Sequence, residues 1–262
     1  PYRCLDAARE ADQSHIPAHD ALARDCARRS IVLLKNDGDV LPLKKSGQRI
    51  ALIGPFAQDT AHLGGCWNIF GDASRMVDLE TGLRAALDDP SALVVVPGSG
   101  IEDAVEGGIE AAVAAARAAD VVLLALGEPH DFSGEAQSRT QIVIPAAQQA
   151  LAEAVAATGT PVVVVLRNGR ALALEGAVRE AQALLVTWFL GTQTGPAVAD
   201  VVFGDYNPSA RLPVSFPQDA GQQPYFYNHP ATGRPNVPGT PRFFQTRWRE
   251  VPHAALYPFG HG

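Results

Sequence analysis

Five times along the chain a short run of aliphatic and β-branched residues is followed by an alanine-rich stretch of helical composition. The pairs are 49–54 then 78–88, 92–96 then 108–118, 121–126 then 145–157, 161–166 then 172–181, and 183–188 then 195–203. Strand–helix alternation of this kind builds a mostly parallel sheet covered by helices on both faces. The run Val162-Val163-Val164-Val165 has no polar face at all, as expected of a strand buried on both sides. The alternation therefore predicts an α/β fold, a doubly wound, mostly parallel sheet sandwiched between helices.

Two flanks depart from this pattern. Residues 18–35 place Leu22, Cys26, Ile31 and Leu34 near helical spacing with Arg and Asp between them, which predicts an amphipathic helix packed on the sheet. Residues 206–262 are crowded with Pro, Gly and aromatics and lack helical periodicity; they are expected to wrap the domain as long ordered loops, since their aromatics would otherwise be exposed. With residues 1–17 read as linker-like, the remainder, 18–262, is expected to form a single α/β domain. No internal repeat or low-complexity linker interrupts it.

Several function classes lose support from composition. A formal charge of −7 leaves no basic footprint for nucleic acid or an anionic membrane, and no stretch approaches the roughly 18 apolar residues of a membrane span. The N-terminus lacks the charged-then-apolar profile of a signal peptide. Cys4, Cys26 and Cys66 are odd in number and lack CxxC spacing, which predicts isolated thiols and neither a disulfide framework nor a metal site. Gly54-Pro55 follows a strand but opens no phosphate-binding loop, so a flavodoxin-like nucleotide binder is disfavoured and no cofactor is expected.

Chemistry is expected in the polar loop 127–140, straight after the apolar run 121–126, because ligands of open α/β sheets bind outside the carboxyl ends of the strands. That loop carries Glu128 and Glu135 with His130, Asp131 and Arg139. Either carboxylate can serve as a general acid or base; Glu128, directly ending the strand, can equally cap a turn or hold an arginine. Arg139 either orients the loop and tunes a nearby carboxylate or makes a surface ion pair of little worth. His130 and Asp131 have no Ser or Cys at triad spacing and read as loop polar groups. In Gly64-Gly65-Cys66-Trp67, Trp67 either presents its ring to a ligand or packs between loops, and Cys66 has no neighbour evident to stabilise a thiolate. Trp188 is expected in the core.

Several segments, in this order and spacing, resemble the C-terminal α/β domain of family 3 glycoside hydrolases, the β-glucosidase and β-xylosidase group. They are residues 30–36 (Ser-Ile-Val-Leu-Leu-Lys-Asn) followed by Leu41-Pro42-Leu43, residues 50–55 (Ile-Ala-Leu-Ile-Gly-Pro), 134–140 (Gly-Glu-Ala-Gln-Ser-Arg-Thr), 188–191 (Trp-Phe-Leu-Gly), 203–213, and the closing 256–262 (Leu-Tyr-Pro-Phe-Gly-His-Gly). The resemblance implies a retaining exo-acting hydrolase of terminal β-D-glucosyl or xylosyl residues, with Glu135 as acid/base and an aspartate nucleophile on a preceding (β/α)8 barrel. Retention requires the two carboxyl groups about 5–5.5 Å apart. It also implies a β-linked oligosaccharide or glycoside as substrate and a periplasmic or secreted location; with such a substrate, Trp67, whose ring can stack on a sugar's C–H face, and Arg139 in the Glu135 loop are the candidate substrate contacts. Tyr227, His229 and Arg234 would then lie near the cleft or at a subunit contact, or equally belong to a purely structural tail, and a homodimer is among the assemblies it admits. The sequence holds no barrel and no Ser-Asp-Trp segment of the kind bearing the nucleophile, so an excised piece or one part of a split enzyme, inactive alone, is expected. The alternative is a non-catalytic carbohydrate-binding or docking module.

Overall fold

A computed structural model describes residues 6–8, 17–230, 233–236, 239 and 244–262. Most of the linker-like segment 1–17, with Cys4, lies outside the described residues. The elements run α1 Pro17–Ser30, β1 Val32–Asn36, β2 Ile50–Ile53, α2 Leu79–Ala86, β3 Leu93–Val96, α3 Gly108–Ala118, β4 Val121–Gly127, α4 Ala146–Ala156, β5 Val162–Arg167, α5 Gly176–Glu180, β6 Ala183–Val186 and α6 Thr194–Val202.

One sheet joins the strands in the order β1-β6-β5-β4-β2-β3. The pairs β2–β3, β2–β4, β4–β5 and β5–β6 are parallel, and only β1 runs antiparallel, against β6. Each central strand feeds two cores by alternation. Val121, Leu123 and Ala125 of β4 face a cluster with Leu79 and Leu83 of α2 and Val198 and Val202 of α6, while Val122, Leu124 and Leu126 face Ala112 of α3, Leu151 of α4 and Val178 of α5. In β5, Val163 and Val165 join the first cluster and Val162 and Val164 the second. The valine run has no polar face because both its faces are interior, and the doubly wound sandwich is the fold observed.

The predicted helix over 18–35 is corrected at its second half. α1 stops at Ser30, whose Oγ donates to Cys26 O (2.8 Å), and residues 32–36 form the edge strand β1, pairing Val32 with Val186 and Asn36 with Ala183. Its apolar stripe differs too: Leu22 is 62% exposed and Cys26 is exposed, while Ala27 and Ile31 are buried. α1 packs chiefly on α6 rather than on the sheet, pinned by Arg24 Nε to Asp200 Oδ2 (2.8 Å) and by Arg28, which lies over the Tyr206 ring. Buried Asp200 is thereby neutralised. Two further boundaries moved. α5 begins at Gly176, with Leu172 and Leu174 buried ahead of it outside any helix or strand, and β6 ends at Val186. Trp188 stands past that end at φ 55°, half-buried and edge-on to Phe216.

From residue 206 onward the described residues contain no α-helix and no named strand. Leu212 N to His261 O and Phe216 N to Tyr257 O, each 2.8 Å, close the segment on itself, and His261 Nε2 to Leu34 O (2.8 Å) ties it to β1. Phe216 is fully buried, yet Phe226, Tyr227, Phe244 and Phe259 remain exposed, against the expectation that wrapping would cover the aromatics.

Candidate active site

The carboxyl ends of β4 and β5 carry the polar loops. α4 holds the end of β4 rigidly: buried Gln148 accepts from Gly127 N (2.8 Å) and donates to Gly127 O (3.0 Å), satisfying both backbone groups where the ladder stops. Glu128 N then donates to Arg167 O (2.8 Å), so the chain leaves the sheet in a fixed direction with the Glu128 side chain wholly interior.

That buried carboxylate sits between two guanidiniums. Glu128 Oε1 accepts from Arg139 Nη1 at 2.6 Å, and Oε2 lies 3.5 Å from Arg170 Nε, an ion pair too long for a hydrogen bond. Burial pushes the Glu128 carboxyl above the ordinary carboxylate range, against the pull of Arg170 and of Arg139. The Arg139 guanidinium lies over the Phe132 ring, 4.4 Å from its centroid, and Arg170 Nη2 donates to Phe132 O. Both feet of the loop are thus joined through one acid.

Between those feet the chain turns tightly. Gln137 N donates to Gly134 O (3.3 Å), Gly134 and Ala136 take positive φ values of 109° and 61°, and Glu135 stands exposed in the turn. The turn rests on the loop after β2: a Cβ at Gly134 would meet Cys66, with the Trp67 ring 4.0 Å away. Trp67 therefore flanks the Glu135 turn. It is 67% exposed and stands beside Ile69 and Phe70, both more exposed still.

A second cluster links the same two loops. His62 Nδ1 and His130 Nδ1 are 2.8 Å apart, so one ring donates to the other's lone pair. His62 N donates to Asp59 Oδ2 (3.3 Å), and Asp59 pairs with buried Arg167, whose guanidinium lies 4.5 Å from the Phe56 centroid. Burial pushes the His62 pKa down, opposed by Asp59, and pushes that of Arg167 down, opposed by the same carboxylate.

The structure therefore brings Glu128, Arg139, His130, Glu135 and Trp67 into one loop cluster, with Asp59, His62, Arg167 and Arg170 that sequence reasoning missed. A signal existed for Arg167, a cation ending an otherwise apolar strand. None existed for Asp59 or His62. Tyr227, His229 and Arg234 have other partners, with Tyr227 stacked on Phe259 (4.4 Å), His229 Nδ1 at 3.0 Å from Phe226 O and Arg234 over Phe244. An open cleft of about 820 Å³ lies elsewhere, between α1 and residues 188–192 and 210–213, and Glu135 does not line it.

The fold is a doubly wound sheet whose loop after β4 holds Glu128 buried against arginine and Glu135 exposed on a braced turn; comparison with known proteins identifies the family. The family described as Glycosyl hydrolase family 3 C-terminal domain matches residues 31–262. The chain is 43% identical to the "Periplasmic beta-glucosidase" of Salmonella typhimurium, over 93% of this chain and 34% of that protein. It is 34% identical to a "Beta-xylosidase" of Formosa agariphila, again over 93% of this chain and 34% of the relative. Among solved structures, the β-glucosidase of Listeria innocua in complex with isofagomine superposes with a TM-score of 0.93 at 38% identity, covering all of this chain and 36% of the other. This chain belongs to glycosyl hydrolase family 3, as its C-terminal domain. It spans about a third of the length of the relatives it matches.

Proposed function

We propose that the chain is the acid/base-bearing domain of a retaining exo-β-glycosidase that removes terminal non-reducing β-D-glucosyl or β-xylosyl residues, with Glu135 as the proton donor. The observation carrying this is the contrast between the loop's two glutamates. Glu128 is wholly buried against Arg139, out of reach of any substrate, whereas Glu135 is exposed on a turn held at both feet. A general acid must reach the oxygen it protonates.

In this reading an aspartate on an N-terminal (β/α)8 barrel attacks the anomeric carbon while Glu135 protonates the departing glycosidic oxygen. The Glu135 carboxylate so formed then takes a proton from water, the oxygen of which displaces the aspartate and releases the sugar with net retention. Trp67 supplies an aromatic face for the sugar's C–H surface. Arg139, turned inward to Glu128, orients the loop rather than gripping substrate. The chain bears one carboxylate of the pair, so by itself it has negligible glycosidase activity. Similarity to the periplasmic enzyme supports a periplasmic or secreted location.

The test joins this chain to a nucleophile-bearing family barrel and measures hydrolysis of an aryl β-glucoside with and without Glu135→Ala. Activity unaffected by the substitution would reject Glu135 as acid/base. The exposed Trp67, Ile69 and Phe70 favour a second reading, a carbohydrate-binding module that works without catalysis. Saturable binding of a β-linked oligosaccharide by this chain alone, combined with no activity in the joined protein, would select that reading.

A further inference from the structure

We infer that Glu128 is the positioning residue of the acid/base loop, and that Glu135 acts only when the Glu128 carboxylate holds Arg139 and Arg170. This rests on the reading of Glu135 as proton donor.

Residues 129–138 leave the end of β4 and come back beside it at Arg139, and a loop of that length with an exposed tip is ordinarily mobile. Here its motion is restricted at three points. Glu128 is fixed at the base by its own N–H to Arg167 O (2.8 Å) and by neighbouring Gly127, which is clamped by Gln148. Its Oε1 reaches across the loop to Arg139, eleven residues on, and thereby closes the loop at its far foot (2.6 Å). Its Oε2 faces Arg170 Nε at 3.5 Å, and Arg170 in turn donates to Phe132 O, two residues before the Gly134–Gln137 turn. The Arg139 guanidinium covers the Phe132 ring as well. Phe132 is thus held from its ring by one arginine and from its carbonyl by the other, and both arginines answer to the same buried acid.

Removing that charge leaves two guanidiniums without their shared counter-ion and frees both feet of the turn. The effect falls on Glu135 because it sits between Phe132 and Arg139. A proton donor displaced by about 1 Å can lose roughly a hundredfold in rate. The substrate's own contacts need not change, so the defect should follow the need for a proton rather than the affinity for sugar.

The experiment uses this chain joined to the nucleophile-bearing barrel and compares kcat/KM, which reports the glycosylation step, for two substrates. Methyl β-glucoside needs its leaving group protonated; a dinitrophenyl β-glucoside does not. Glu128→Gln is expected to lower kcat/KM on the methyl glycoside by about 10- to 100-fold, leaving the dinitrophenyl value nearly unchanged. Arg139→Lys, which keeps the charge but loses the fork and the cover over Phe132, should give a milder loss of the same selectivity and guards against a Glu128→Gln protein that fails to fold. In a Glu135→Ala background, Glu128→Gln should add nothing on the methyl glycoside, because the group it positions is gone. Equal losses on both substrates, or an additive loss in the double variant, would overturn the positioning role. The two readings fail separately: Glu135→Ala with no preference between the substrates removes Glu135 as the acid, whereas a selective Glu135→Ala with an unselective Glu128→Gln removes only the role given to Glu128.

Discussion

A Cβ on Gly134 would stand 2.7 Å from Cys66 Sγ and 3.0 Å from Cys66 Cβ, so the turn bearing Glu135 and the loop bearing Trp67 touch through a position that has room only for glycine. Gly134 also holds a φ of 109°, which L side chains rarely adopt. The contact couples two candidate substrate-facing residues that are 68 positions apart in the chain, Trp67 and Glu135.

Gly134→Ala should therefore cost about 1–3 kcal/mol in urea unfolding and lower activity in the barrel-joined protein. Adding Cys66→Gly would remove the collision but not the backbone strain, so it should recover only part of the stability. Full recovery would show that the collision alone mattered.

Asp59→Ala should be among the most destabilising polar substitutions. Arg167 is buried against Phe56 with Asp59 as its carboxylate partner, and burial already disfavours its charged form. Leaving a buried charge unpaired costs about 3–5 kcal/mol. A shift of the urea midpoint worth less than about 1 kcal/mol would mean that water reaches Arg167 when the aspartate is gone.

The His62–His130 contact gives a pH dependence of defined sign. The Nδ1–Nδ1 hydrogen bond requires one bare nitrogen, and the His62 pKa is pushed below its ordinary value by burial. The unfolded chain therefore binds more protons at His62 than the folded one between the depressed native value and about 6.5, so stability rises with pH across that window and its contribution is lost as pH falls through it. Histidine NMR titration of the isolated chain should place His62 below about 6.5. A His62 resonance titrating above that value would contradict the argument, and His62→Gln should flatten the stability profile in the same window.

Trp67→Ala should separate binding from folding. With 67% of its surface exposed, Trp67 contributes little to the core, so thermal stability should change by no more than about 0.5 kcal/mol. Loss of an aromatic face against the sugar should weaken substrate or inhibitor binding by up to about tenfold, read as KM or Ki in the joined protein. Unchanged binding would place the sugar elsewhere.

The architecture was legible wherever the pattern was local. Val162 to Val165 can be satisfied only between two apolar layers, and the strand–helix alternation then leaves few alternatives to a doubly wound sheet. The same local pattern misled at residues 32–35. Val-Leu-Leu-Lys continues a helical spacing as readily as it forms an edge strand, and the choice falls to β6, whose Val186 and Ala183 lie about 150 residues away. The loop repeats this lesson. Its composition announced two glutamates, an arginine and a histidine near a strand end, and the family motif favoured Glu135. Only the folded chain buries Glu128 between Arg139 and Arg170 and leaves Glu135 exposed, because burial and ion pairing depend on which distant residues arrive beside a carboxylate. Periodicity is a property of neighbouring residues, and it decided the layers; desolvation and charge pairing are properties of space, and they decided which carboxylate is buried and which is exposed.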